Sequence, residues 1–222
     1  MAVPTRTEAL ALLWSVSPST RLLQHMTVVA EIAAFLAYRA ARAGVAVDRR
    51  LAETAALLHD VDKALPADHP LKRLGHGRAA AEWVTAAGHP ELARAIMAHP
   101  VSRLAENDAA EWLSSAPLEE RLVMYADKRA TQRVVSLEQR FDRWRRRHPE
   151  YEAQLQHTLE LARRLEAEVC AAADIVPTQV ERLRWVHGVA TRAAAQGLLP
   201  GQVVEACAPG ARSMTAPGPL LT

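Results

Sequence analysis

From Arg21 to Arg42, apolar side chains recur at Leu22, Met26, Val29, Ile32, Ala33, Leu36 and Ala40, three or four positions apart. No other feature restricts the fold as strongly, because that spacing lines one face of an α-helix and cannot serve a strand, whose faces alternate every residue. The spacing predicts a helix over 21–42, closed by Gly44. Asp48 is placed to cap a second helix through Leu51, Ala55 and Leu58 that ends near His59 and Asp60. The stretch "PADHPLKRLGHG", with its prolines and glycines, predicts a surface loop. Helix resumes at Arg78 and stops at Gly88. Pro90 suits the first position of the next helix, which runs to about Ala98 and is closed by Pro100. After an irregular stretch, Pro117 with Glu119 and Glu120 opens a helix through Leu122, Val123 and Ala126. Two more are expected over 150–173 and 178–196. With no alternating pattern of useful length, the fold class is all-α.

A chain of 222 residues that is half hydrophobic fills one core of ordinary domain size. The expected organisation is a helical domain over 1–175, a helical extension over 176–207 packed on it, and a flexible tail over 208–222, where "APGARSMTAPGPLLT" is rich in Pro, Gly and small residues. A net charge of +2 sets up no global field that would select nucleic acid or membrane. Cys170 and Cys207 stand apart from the histidines without metal-ligand spacing, which suits a reducing compartment. "ALALLW" is too short for a signal-peptide core, and nowhere do eighteen apolar residues run together. A cytoplasmic location is the expectation.

The polar residues on the apolar faces then need partners. "ALLHDVDK" ends an apolar run with His59 and Asp60, and a carboxylate at the edge of a core costs several kcal/mol unless a cation or strong donor faces it. His25 shares its helix face with Val29, and Asp127 shares one with Val123 and Met124, so both point inward. Each alone reads as a hydrogen-bonded core residue. Together with His76 between two glycines and His99 at a helix end, they make a mixed nitrogen and oxygen donor set that suits one or two divalent transition metal ions: Fe, Mn, Co, Ni or Zn.

In order and type, His25, the His59-Asp60 pair and Asp127 in "YADKR" resemble the ligands of the HD-domain superfamily of metal-dependent phosphohydrolases, over roughly residues 18–135. His76 in "GHGRAAA" and His99 in "IMAHP" are similar to the extra histidines of six-ligand, two-metal members, and "LLHDVDK" with "YADK" is nearest to the YqeK-like group. The resemblance implies an HD-domain helical bundle with additional C-terminal helices. It also implies hydrolysis of a nucleotide or other phosphate compound by metal-activated water, with His25, His59, Asp60, His76, His99 and Asp127 as ligands and Asp60 shared between two ions. Two alternatives stay open: a diiron oxygenase on the same scaffold, and a non-catalytic nucleotide sensor.

Lys63, three after Asp60, is expected either to face phosphate oxygens or to pair with Asp60 or Asp62. Asp62 is expected to orient a ligand histidine, act as a base or lie on the surface, and Arg133 to clamp phosphate or face water. Lys128 points away from Asp127 and is expected in solvent. "RFDRWRRRHPE" carries Arg140, Arg143, Arg145, Arg146 and Arg147 around Trp144; a solvated helix face is its plain reading, and nucleic acid is not expected as a partner. Trp83 and Trp112 are expected in the core or beside a pocket. The expected partner is a small phosphate-bearing molecule, with no membrane association and with a homodimer left open.

Overall fold

The computed structural model describes residues 2–196. Eleven α-helices succeed one another along them, with no strand: α1 (Arg6–Ser15), α2 (Thr20–Arg42), α3 (Arg49–Leu58), α4 (Arg78–Ala86), α5 (Ala93–Ala98), α6 (Ala109–Ser115), α7 (Leu118–Lys128), α8 (Leu137–Arg147), α9 (Glu152–Ala172), α10 (Pro177–Glu181) and α11 (Trp185–Gln196). The all-α expectation is met. None of these helices is long and apolar enough to cross a membrane.

Local chemistry explains most of the boundaries. Ser19 caps α2 by accepting from the Leu22 amide, and Asp48 caps α3 by accepting from the Leu51 amide at 2.9 Å. The helix α1, not expected from its weak apolar pattern, begins with a reciprocal capping box of Thr5 and Glu8. A second box, Ser136 with Gln139, starts α8. The expected loop over 66–77 contains a 3-10 helix, Pro70–Leu74, and another, Val61–Ala64, follows Asp60. The single helix expected over 178–196 is two helices. The chain turns at 182–184 to bury Leu183, and the turn redirects α11 onto α2.

The bundle is centred on α2, which packs against α3, α7 and α11. Met26, Val29, Ile32 and Leu36 on α2, Leu57 and Leu58 on α3, and Leu122 and Val123 on α7 are fully buried. Each such side chain contributes about 1.5–3 kcal/mol through removal from water. From Leu122 to Thr131 every residue is buried, because α7 is enclosed by α2, α3, α5 and α9. Arg129 ties this helix outward: its guanidinium donates to Glu166 on α9, to the Tyr125 hydroxyl at 2.7 Å and to Glu181 on α10 at 3.2 Å. Cys170 is buried and unbridged; Cys207 and the 208–222 segment lie outside the described residues.

Candidate metal centre

Four histidines converge on Asp60, and Asp127 adjoins two of them, His25 and His59. His25 stands on α2, His59 closes α3, Asp60 begins the turn after it, His76 sits in the loop before α4, His99 closes α5, and Asp127 lies in the last turn of α7. The Nε2 atoms of His25 and His59 both lie 3.5 Å from Asp60 Oδ2. The Nε2 atoms of His76 and His99 lie 3.3 and 3.5 Å from Asp60 Oδ1. One carboxylate therefore offers an oxygen to each of two triads, His25-His59-Asp60 and Asp60-His76-His99.

The other ring nitrogens are all engaged, and that fixes which lone pairs are free. His25 Nδ1–H donates to the Thr131 carbonyl at 3.0 Å, His59 Nδ1–H to the Ala56 carbonyl at 2.7 Å, and His99 Nδ1–H to the Ile96 carbonyl. His76 Nδ1–H donates to Asp62 Oδ2 at 3.0 Å. Asp62, buried at 5% exposure, thus orients a histidine of the site. With every Nδ1 donating, each Nε2 turns a lone pair inward, the arrangement that imidazole ligands adopt when an outer partner holds the ring.

The donor set fits divalent ions on three observations. His59 Nε2 and Asp60 Oδ1 are buried without a hydrogen-bond partner among the described residues, which is costly unless something else satisfies them. His76 and His99 bring their Nε2 atoms to 3.0 Å, where two lone pairs repel and a shared cation reverses the sign. Two donors each about 2.1 Å from one ion sit about 3.0 Å apart at a right angle and about 3.4 Å apart at the tetrahedral angle. The separations around Asp60, 3.0 to 3.5 Å, span that interval.

Electrostatics keep the ligands in binding-competent forms. Burial drives the His59 pKa from 6.5 down to about 3, so its ring is neutral near neutrality, and burial lowers that of His99 as well. For Asp60, burial favours the neutral acid, but His59, His99 and Lys63 outweigh it and hold the carboxyl well below the usual range. Between pH 6.5 and about 3 the unfolded chain takes up a proton at residue 59 that the folded chain refuses. Stability of the metal-free protein is therefore expected to fall as pH drops below 6.5, by about 1.4 kcal/mol per pH unit for this one group. Urea denaturation at pH 7, 6 and 5 measures it; a flat profile would place the ring in water.

Asp127 adjoins the first triad, its Oδ1 at 3.2 Å from His25 Nε2 and 3.8 Å from His59 Nε2. It is also held by two cations. Lys128 Nζ donates to Oδ2 at 2.6 Å, and Arg140 donates to Oδ1 at 3.2 Å. The solvent position expected for Lys128 is wrong: it is fully buried, because the end of α7 has no solvent face, and its ammonium also donates to the His99 carbonyl at 2.7 Å. Lys63 takes the pairing alternative, donating to Asp60 Oδ2 at 2.7 Å, with its side chain half exposed. Arg133 is exposed, and the cleft beside it is lined by Gln132 instead.

The His76 half of the site depends on Gly77. Its φ of +80° is a left-handed conformation, and a Cβ there would stand 2.6 Å from Pro100 Cγ and 3.3 Å from the Met97 carbonyl oxygen. Gly77 lets the His76 loop approach the residues flanking His99. Gly77→Ala is expected to push His76 away and lower the metal content per chain, as elemental analysis would read; unchanged metal content would show that the loop accommodates the methyl group.

A cleft of about 440 Å³ opens onto His25 and Asp60, walled by Arg21, Lys63, Arg140, Trp144 and Arg147. The run expected to be a solvated face is thus divided. Leu137 and Phe141 bury one side of α8, and the helical register carries Arg140, Trp144 and Arg147 to the cleft. Trp83 and Trp112 are partly buried against the core, and the tryptophan at the cleft is Trp144. His69 Nδ1 accepts from the Leu71 amide and His89 pairs with Glu91, both remote from the donors.

An enclosed bundle with imidazole and carboxylate donors meeting between its helices defines a candidate centre for divalent ions. The HD domain matches residues 22–132, and the chain belongs to that family. The match spans all four histidines, Asp60 and Asp127, and the family is a superfamily of metal-dependent hydrolases. Comparison with curated proteins and comparison with solved structures each gave no match.

Proposed function

We propose that this protein is a metal-dependent phosphohydrolase acting on a nucleotide. The observation that carries the reading is the cationic cleft: the donors meet solvent through walls bearing Arg21, Lys63, Arg140 and Arg147, which suits a phosphate-bearing substrate. A second cavity, about 460 Å³, shares Trp144 with this cleft and is lined also by Val101, Tyr151 and Leu155. Its apolar and aromatic lining suits a nucleobase attached to the phosphate.

Bound ions would neutralise phosphoryl charge and lower the pKa of coordinated water. His25, His59, His76, His99, Asp60 and the adjoining Asp127 would hold them. The chain's own contribution is positional. The carbonyls of Thr131, Ala56 and Ile96 fix three imidazoles in one tautomer, and Asp62 fixes the fourth. Lys63, half exposed and 2.7 Å from Asp60, is placed to donate to a phosphoryl oxygen entering beside that carboxylate. Lys128 and Arg140 keep Asp127 ionised and stationary.

The test is to purify the protein without oxygen, count its metals, and follow phosphate release from a nucleotide panel together with oxygen uptake. Phosphate release that disappears in His59→Ala supports the reading. Oxygen consumption without phosphate release replaces it with an oxygenase, and tight nucleotide binding with neither replaces it with a sensor.

A further inference from the structure

Away from the cleft, another cavity of about 360 Å³ opens between α5, α6 and the start of α7. It shares no lining residue with the cleft or the cavity next to it, and none of the metal donors reaches it. Glu120 stands on its wall with a side chain only 7% exposed. A carboxylate that deep needs a strong cationic partner, and its partners are slight. Among the described residues it accepts one hydrogen bond, from the Trp112 indole N–H to Oε2 at 3.3 Å, although a carboxylate has room for about four. Its counter-ion is Arg94, 2.9 Å from Oε1, whose side chain is 74% exposed. An ion pair with one member so far in water contributes little. The rest of the wall is apolar or aromatic: Met97, half exposed, extends from α5, and the Trp112 ring carries the Arg103 guanidinium 5.1 Å from its centroid. Glu106 and Asp108 fix Arg103 there, at 2.8 and 2.6 Å. Acid and ring thus each take a guanidinium group from the chain itself, and the one on the acid is loosely held.

We propose that this cavity is a binding site for a small organic cation, an amidinium or guanidinium group on an apolar body. The charged group takes the place of Arg94 on Glu120, and the body covers Met97 and Trp112. A planar cation with paired N–H donors matches a carboxylate whose lone pairs are mostly free. The apolar body adds what Arg94 lacks, a cover that keeps water from the ion pair and so strengthens it. Glu106 and Asp108 are already engaged by Arg103, which leaves Glu120 as the acid that reads the ligand's charge. The inference stands apart from the phosphohydrolase reading, because it uses neither the cleft nor the metal donors.

The experiment titrates the full chain, carrying its own metals, with benzamidine and with its neutral counterpart benzamide, using calorimetry. Benzamidine is expected to bind at least about tenfold more tightly, the scale of one charge-assisted contact. Arg94→Ala removes the internal competitor at an exposed position and is expected to tighten benzamidine binding about threefold, the scale of an exposed ion pair. Met97→Ser is expected to weaken it about threefold through lost apolar cover. Glu120→Gln is expected to weaken it about tenfold, with thermal melting as the check on folding; if that variant does not fold, the opposite shifts of Arg94→Ala and Met97→Ser decide. Saturating inorganic phosphate is expected to leave benzamidine binding unchanged, whether or not the protein hydrolyses any nucleotide. Absence of benzamidine binding overturns the proposal, as does equal binding of the two compounds. An Arg94→Ala variant that binds no more tightly than the parent overturns it as well, and competition by phosphate does so by placing the cation in the cleft.

Discussion

Asp60→Asn is expected to lower the rate of phosphate release at least about 100-fold and to leave no more than one ion per chain, the largest loss of activity from any conservative change in this protein. The replacement keeps the shape of the side chain and removes what the site uses. Asp60 is the one residue present in both triads, giving Oδ2 to His25 and His59 and Oδ1 to His76 and His99. An amide presents a nitrogen at one of those two positions, so an N–H replaces a lone pair wherever the group turns. It also removes the charge that faces Lys63 at 2.7 Å. Folding should survive, since a buried charge is exchanged for a neutral group of equal volume and the bundle's apolar contacts are untouched. Elemental analysis and a phosphate assay on the folded variant give the result; two ions with near-parental turnover would remove Asp60 from the centre. Arg133→Ala, by contrast, alters an exposed side chain outside the cleft wall and is expected to change turnover less than twofold, within the usual range for surface changes.

The contrast between these two residues shows what the sequence carried. The inward direction of His25 followed from its position four before Val29, and the strain of a histidine and an aspartate ending an apolar run at 59–60 was visible without coordinates. These are facts of helical register, and register is local. What a side chain meets across the bundle is not. Arg133 and Arg140 are both arginines shortly after Asp127, but Arg133 faces water, the second of its two expected roles, and Arg140 is the one that reaches the cleft. Yet the signal for Arg140 was present: Leu137, Phe141 and Trp144 recur at helical spacing inside the arginine run, and burying that stripe turns Arg140 and Arg147 toward the donors. The capping box of Thr5 and Glu8 was equally legible and marks a helix whose own apolar pattern is weak. No comparable signal exists for Lys128, because its burial depends on four other helices closing around the end of α7.

Lys128→Met is expected to destabilise the fold by about 3–5 kcal/mol, more than any surface change, because it breaks a buried ion pair from one side. Lys128 Nζ lies 2.6 Å from Asp127 Oδ2 and 2.7 Å from the His99 carbonyl oxygen, and no part of the side chain reaches water. Burial pulls the lysine pKa down, and Asp127 opposes it; the same pairing, with Arg140, holds the Asp127 carboxyl well below its usual range despite burial. Methionine matches the length of the lysine stem, so packing loss is small and the cost arises from electrostatics. Arg140 then remains as the cation facing Asp127, and the His99 carbonyl loses its donor. Because those two groups flank opposite triads, the effect is expected to reach metal binding as well, with weaker affinity at both positions. Urea denaturation of the metal-free variant isolates the stability effect, and a loss below about 1 kcal/mol would mean that the ammonium is not the partner of Asp127. Lys128→Met paired with Asp127→Asn makes the decisive comparison: if the two groups stabilise each other, the double variant is expected to be more stable than the sum of the single losses allows, by about 1–3 kcal/mol.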